Sequence, residues 1–178
     1  MKFEAQTPLL RAPTLSDLTA MLALNNAHAA ELGALTREAL SHLVDVSFRT
    51  RVADGGDAFI IALEQGADYA SPNYRWFAER FPRFAYIDRV AVAASARKKG
   101  LGRAFYFDLM QAALRAGHGV LTCEVNSDPS NPVSDAFHSA LGFQEIGRAR
   151  IEERGKTVRY LVKPLREDRA SSATVSPR

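Results

Sequence analysis

Apolar positions along the chain switch between helical and strand spacing, and the switches set out an alternating α/β order. After a short apolar stretch at Pro8–Arg11, Thr14 and Asp17 form a capping-box-like start, and Leu15, Leu18, Met21 and Leu22 predict a helix reaching Ala27. A second helix is predicted from near Thr36, with Glu38 in its first turn and Leu40, Leu43 and Val44 on one face. Phe48–Ala53 alternates like a strand, Asp54 to Asp57 reads as a turn, and Ala58–Leu63 is a second, wholly apolar strand. The next strand, Phe84–Val92, follows a connection of about twenty residues, long enough to be functional in its own right. A short helix, Tyr74–Phe81, is expected within it.

Leu101, Phe105, Leu109, Ala112 and Ala116 then recur at helical spacing, and Gly117 suits the stop. Val120–Val125 reads as a buried strand, and Pro132 opens a helix that runs to Ala140. Gln144–Ile151 and Thr157–Val162 close the order as a hairpin around Arg154-Gly155-Lys156. Seven strands and four main helices in this order predict a mixed α/β sheet in one domain, 1–163. The rest, 164–178, is rich in Ser, Ala, Arg and Pro without apolar period and reads as a flexible tail.

Composition narrows the class. With 47% apolar and 24% charged residues in 178, the chain has the balance of a globular protein. No apolar run approaches the ~20 residues that span a bilayer, so no membrane partner is expected. The net charge of +3 comes from scattered rather than striped basic residues, which argues against nucleic acid. Cys123 is the single cysteine, in keeping with a reducing cytoplasm, and residues 1–6 have no apolar signal-peptide core, so export is not expected. His28, His42, His118 and His138 show no metal-ligand spacing, so no metal is expected.

The candidate chemistry begins at Arg97-Lys98-Lys99-Gly100-Leu101-Gly102-Arg103-Ala104, placed between a strand and a helix. A helix start has unpaired N–H groups and a partial positive charge, and so attracts phosphate. Glycine at 100 and 102 lets the backbone approach such a ligand. The segment is neither a Walker loop nor a complete dinucleotide fingerprint.

Tyr86-Ile-Asp-Arg-Val-Ala-Val92 followed by Arg97-x-x-Gly-x-Gly102 resembles the signature segment of the GNAT acetyltransferase superfamily. The resemblance continues through Cys123-Glu-Val125, Asn131 and Ala136-Phe-His-Ser-Ala-Leu-Gly-Phe143, covering Phe84 to about Gly147. It implies a GNAT-like, largely antiparallel sheet and acetyl-CoA as co-substrate. Backbone groups of Val90, Ala91 and Val92 would meet the pantetheine arm, residues Arg97 to Ala104 would wrap the pyrophosphate, and Asn131 and Phe137 would flank the thiol end.

Acetyl transfer to an amine needs a neutral amine, a polarised thioester and a thiol that can leave. Glu124 matches the base of the family branch that acts on protein N-termini, and Asp88, acting through water, is the other candidate. His138 stands where the family usually has an acidic tyrosine. Asn25 and Asn26 at the end of the first helix, and Asp68, Tyr69 and Trp76 in the long connection, are expected to line the acceptor pocket. The acceptor would be a primary amine of a small molecule or peptide, and exposed sheet edges would allow a homodimer. A non-catalytic acetyl-CoA sensor of the same fold is the alternative expectation.

Overall fold

The computed structural model describes residues 9–165. The expected tail therefore lies, from residue 166 onward, outside the described residues. Strand β1 is Leu10–Arg11, followed by helices α1 (Asp17–Ala27), α2 (Ala29–Leu32) and α3 (Arg37–Asp45). Then come β2 (Arg49–Ala53), β3 (Ala58–Glu64), α4 (Pro72–Ala78), β4 (Ala85–Val92) and α5 (Leu101–Arg115). Strand β5 (Val120–Asp128), α6 (Pro132–Ala140), β6 (Gln144–Ile151) and β7 (Lys156–Pro164) complete the order.

The seven strands form one sheet in the order β1-β2-β3-β4-β5-β7-β6, antiparallel throughout except between β4 and β5. The described residues hold six α-helices: the four main ones expected, the expected short one in the β3–β4 connection, which starts two residues earlier as α4, and the unexpected one-turn α2. The fold continues through Leu165, whose N–H donates to the Gly119 carbonyl at 2.8 Å, slightly beyond the expected boundary.

The apolar character of β3 explains the layers. Its residues from Ala58 to Leu63 are all buried, so both faces of the sheet must be covered. On one face Leu18 and Met21 of α1, Leu40 and Leu43 of α3, and Tyr74 and Phe77 of α4 pack on Phe59, Ile61, Leu63, Phe84 and Tyr86. On the other, Leu101, Phe105, Tyr106 and Leu109 of α5 pack on Ile60, Ala62, Ile87, Leu121, Cys123 and Val125.

Local chemistry accounts for most boundaries. The Thr36 hydroxyl accepts from the Ala39 N–H at 3.2 Å and caps α3. Asp17 reaches back to the Thr14 N–H at 2.6 Å and to the Arg11 guanidinium at 2.7 Å, contacts that hold its carboxyl well below the usual range. Because Asp17 itself opens α1, Leu15 falls outside the helix and is 80% exposed, not on the expected apolar face.

At the far end of the sheet, Gly147 on β6 lies opposite Tyr160 on β7, and Trp76 stacks on the Tyr160 ring at 4.1 Å. A Cβ at 147 would stand 2.8 Å from Trp76 Cζ2. Gly147→Ala should therefore force Trp76 off Tyr160 and lower stability by about 1–3 kcal/mol. Urea denaturation checks this, and an unchanged midpoint would count against the packing described.

Candidate active site

Strands β4 and β5 pair only at Ala85↔Leu121 and Tyr86↔Thr122. Beyond these two pairs they part, while β4 stays laddered to β3 and β5 to β7. Backbone groups of β4 past Tyr86 that point toward β5 are left without a strand partner, and the opening is a cleft in mid-sheet. Val90, Ala91 and Val92 form the outer part of the β4 wall.

The register of β4 on β3 shifts at this point. Ile61 faces Arg89 while Ala62 faces Ile87, so Asp88 is an extra residue in a β-bulge. The bulge reverses the alternation of faces: Ile87 packs under α5 before it, and Val90 and Val92 pack there after it. Asp88 and Arg89, though adjacent, can then contact one another, and Arg89 Nε donates to Asp88 Oδ2 at 2.6 Å. Arg89 also donates to Asn25 Oδ1 at 2.8 Å, and both ends of the Asp88–Arg89 pair are buried.

At the end of β4 the chain turns into α5. Lys98 has φ 63° and Gly100 φ 80°, both left-handed, and Gly100 occupies the N-cap position with no side chain to satisfy the helix start. The first amide of this helix to find an intrahelical acceptor is that of Ala104, on Gly100 O at 3.0 Å. The preceding N–H groups face outward, ringed by the exposed Arg97, Lys98, Lys99 and Arg103. Uncapped helix-start N–H groups among cationic side chains suit an anion such as a phosphate. At Gly102 an added Cβ would be 3.3 Å from the Phe137 ring, so the glycine permits α6 to lie against this helix start. Leu101 is buried beneath the loop.

Glu124 stands on the β5 wall. Leu121, Cys123 and Val125 turn under α5, as the alternation predicts, and Glu124 points to the opposite face. It is half-buried, and both carboxylate oxygens accept hydrogen bonds: Oε1 from Asn73 Nδ2 and Oε2 from the Tyr86 hydroxyl, each at 2.8 Å. The Tyr160 hydroxyl donates to Asn73 Oδ1 at 3.1 Å. Burial and the neighbouring Asp88 charge push the Glu124 carboxyl up to about 7, against the two donors, which favour the charged form.

His138 is buried in α6. Its Nδ1 is 2.8 Å from the Ser134 carbonyl, which can only accept, so Nδ1 carries the hydrogen. Nε2, at 2.7 Å from the Tyr106 hydroxyl, then accepts from it. Burial lowers the imidazole pKa, so the neutral ring is favoured. Asn131 caps α6, its Oδ1 accepting from the Ser134 N–H at 3.1 Å. Cys123 is a buried core residue, and burial raises its thiol pKa.

The residues expected near the acceptor are brought together only in part. Tyr69 lies against Asp88 and Arg89 on the Glu124 side of the sheet. Trp76 is held between Tyr160 and the Arg80 guanidinium, which lies 3.9 Å over its ring. Asp68 is exposed beside His42. Asn25 and Asn26 bind the following loop, donating to Gly33 O and Leu35 O at 3.0 Å each.

Four residues at the site had escaped sequence reasoning: Asn73, Tyr86, Tyr106 and Tyr160. Tyr86 carried a signal, a hydroxyl in an otherwise apolar strand stretch. The other three look like ordinary helix or strand residues. Among the described residues no group of three or more His, Cys, Asp or Glu could hold a metal ion, and no helix could cross a membrane.

No curated protein sequence matches the chain significantly. Solved structures do. A ribosomal-protein-alanine N-acetyltransferase from Brucella melitensis is 23% identical, with TM-score 0.65, over 88% of this chain and 99% of its own. Arabidopsis thaliana NAA60 in complex with acetyl-CoA is 15% identical, with TM-score 0.70, over 89% and 99%. An N-acetyltransferase from Staphylococcus aureus is 19% identical, with TM-score 0.66, over 89% and 99%. These likenesses establish the fold. The sequence profile of the acetyltransferase (GNAT) family matches residues 35–143, more than half of the chain and all of the cleft from β4 to Phe143. The chain thus belongs to the acetyltransferase (GNAT) family, as an acetyl-CoA-dependent N-acetyltransferase.

Proposed function

We propose that the chain transfers acetyl to a primary amine of a small molecule or peptide by direct attack, with Glu124 taking the amine's proton. The observation that carries this reading is the Glu124 carboxyl, half-buried on the wall of the β4–β5 cleft and poised at about 7. A base whose pKa lies near working pH combines proton affinity with a sizeable ionised fraction. Asp88 is a weaker candidate because Arg89 holds its carboxylate and competes for its lone pairs. One domain would carry all of this.

Acetyl-CoA supplies an activated thioester carbonyl that an amine can attack. Val90, Ala91 and Val92 would line its pantetheine arm, and residues Arg97 to Ala104 would hold its pyrophosphate. The Asn131 amide nitrogen, left over from the cap, and the Phe137 ring would flank the thiol end. Tyr69 would border the acceptor beside Asp88. His138, neutral and bonded at both nitrogens, would act by fixing Tyr106 and the start of α6 rather than as an acid.

Magnitudes support a base over an acid. A thiol of pKa ~8.5 already leaves readily near neutrality. A lysine-like amine of pKa ~10.4 is neutral about once in 2,500 at pH 7, an opposing term of ~4.6 kcal/mol, whereas an α-amino group carries only about 1 kcal/mol. Loss of the base should therefore hurt most with high-pKa amines.

In an acetyl-transfer assay over an amine panel, Glu124→Gln should lower kcat/KM by about 10²-fold or more, and His138→Phe by less. A larger loss in the histidine variant would reverse the assignment. At the anion site, Gly102→Val would drive Phe137 away from the start of α5 and should raise KM for acetyl-CoA at least about fivefold. Initial-rate kinetics at saturating amine test this, and an unchanged KM would remove the loop from the donor site.

The same carboxyl predicts a pH effect on stability. Its folded pKa of about 7 lies above its ordinary 4.5, so the folded protein retains a proton that the unfolded chain has released between those values. This contribution is fully present below about pH 4 and is lost as pH rises through 7. Relative to the parent, Glu124→Gln should gain on the order of 1–3 kcal/mol of unfolding free energy between pH 5 and pH 8. Denaturant titrations without ligands would show it, and a pH-independent difference would contradict it.

A further inference from the structure

The long β3–β4 connection carries one side chain directly to the candidate base. Asn73 lies in the first turn of α4, 51 residues from Glu124 in sequence, and is 5% exposed. Its amide has two ends and both are engaged in a defined sense. The Tyr160 hydroxyl donates to Oδ1 at 3.1 Å, which turns Nδ2 toward Glu124 Oε1 at 2.8 Å. Tyr160 is itself immobilised, 1% exposed and stacked on Trp76 of the same helix. The amide cannot flip without setting its oxygen against a carboxylate.

We infer that Asn73 is a positioning residue for acetyl transfer, orienting the Glu124 carboxylate for proton abstraction, with Tyr160 fixing the sense of the amide. The inference rests on the reading of Glu124 as base. A carboxylate with one donor could rotate about its last torsion. With Tyr86 on Oε2 and Asn73 on Oε1, the plane of the group is set and the remaining lone pairs keep one direction. Orientation of this kind lowers the barrier by excluding unproductive rotamers.

Asn73 also bears on the proton affinity of Glu124, because an amide donor stabilises only the ionised form. The other groups facing the carboxyl are Tyr86 and Asp88 from β4 and Tyr160 from β7, while Tyr106 from α5 and Cys123 on its own strand feel its charge from the other side of the sheet. Arg89 is paired with Asp88, and Arg80 stands beyond Tyr160. Asn73 is thus one of two side chains that donate a hydrogen bond to the carboxylate, and the one that depends on the α4 segment.

The test compares pH profiles of kcat/KM for the parent, Asn73→Leu, Tyr160→Phe and Glu124→Gln, using acetyl-CoA and one accepted amine. The amine's own ionisation is common to all four, so displacement between profiles reports the enzyme. In Asn73→Leu the acidic limb should move to higher pH, and kcat/KM at pH 6.5 should fall about tenfold while KM for acetyl-CoA stays within twofold. Tyr160→Phe, which removes one hydroxyl and keeps the ring stack, should displace the limb in the same direction by less. Carboxyl-carbon NMR of Glu124 should show the same upward displacement without any turnover. An unmoved limb and an unmoved NMR titration in Asn73→Leu, with Glu124→Gln inactive, would overturn the role of Asn73 alone. Full activity in Glu124→Gln would overturn the base reading beneath it.

Discussion

The parting of β4 from β5 after two ladder pairs is the constraint on which the rest of the structure depends. A closed sheet would satisfy the backbone groups of both strands. An open one leaves donors and acceptors facing a gap, where an unmet buried group costs about 1–3 kcal/mol. Such a gap suits a slender polar ligand that can complete the missing ladder. The elements around it follow from this opening. Helix α5 starts where β4 ends, so its uncapped amides stand at the mouth. Helix α6 follows β5, and Phe137 comes to rest on Gly102 because that position has no side chain.

The two carboxylates beside the opening have different partners. The bulge at Asp88 brings Arg89 to its side, and a cation at 2.6 Å keeps that carboxylate engaged. Glu124 meets only neutral donors, so burial and the repulsion from Asp88 outweigh them and its proton affinity rises. Which of the two acids is paired with a cation is thus decided by one extra residue in a strand and by where a guanidinium falls. His138 shows the same logic in reverse. A backbone carbonyl one turn earlier fixes its tautomer, and the other ring nitrogen accepts from Tyr106.

Much of this was legible in the residues. The seven strands, the basic glycine loop at Arg97 to Ala104 between a strand and a helix, the face of β5 that carries Glu124, and the proline at the start of α6 all follow from periodicity and turn chemistry. The bulge was not, because nothing in Ile87-Asp88-Arg89 distinguishes an inserted residue from a regular one. Leu15 was read into a helix that begins two residues later, since the Asp17 carboxylate reaches back to the Thr14 N–H and holds residues 14–16 as a turn outside the helix. Asn25 and Asn26 look like candidates for an acceptor pocket, yet their amides hold the Gly33–Leu35 loop. Trp76 is likewise engaged with Tyr160, Gly147 and Arg80.

By itself the sequence determined the order of the main elements and the position of the basic glycine loop, because helix starts, turns and strand alternation are set by residues within a few positions of one another. Tertiary structure alone decided the state of the carboxylate at the cleft. The donors on Glu124 come from residues 38 and 51 positions away, and the hydroxyl that orients Asn73 comes from 87 positions beyond that residue. Hydrogen-bond partners and desolvation depend on what lies within a few ångströms in space, and separations of that length leave no local trace in the chain.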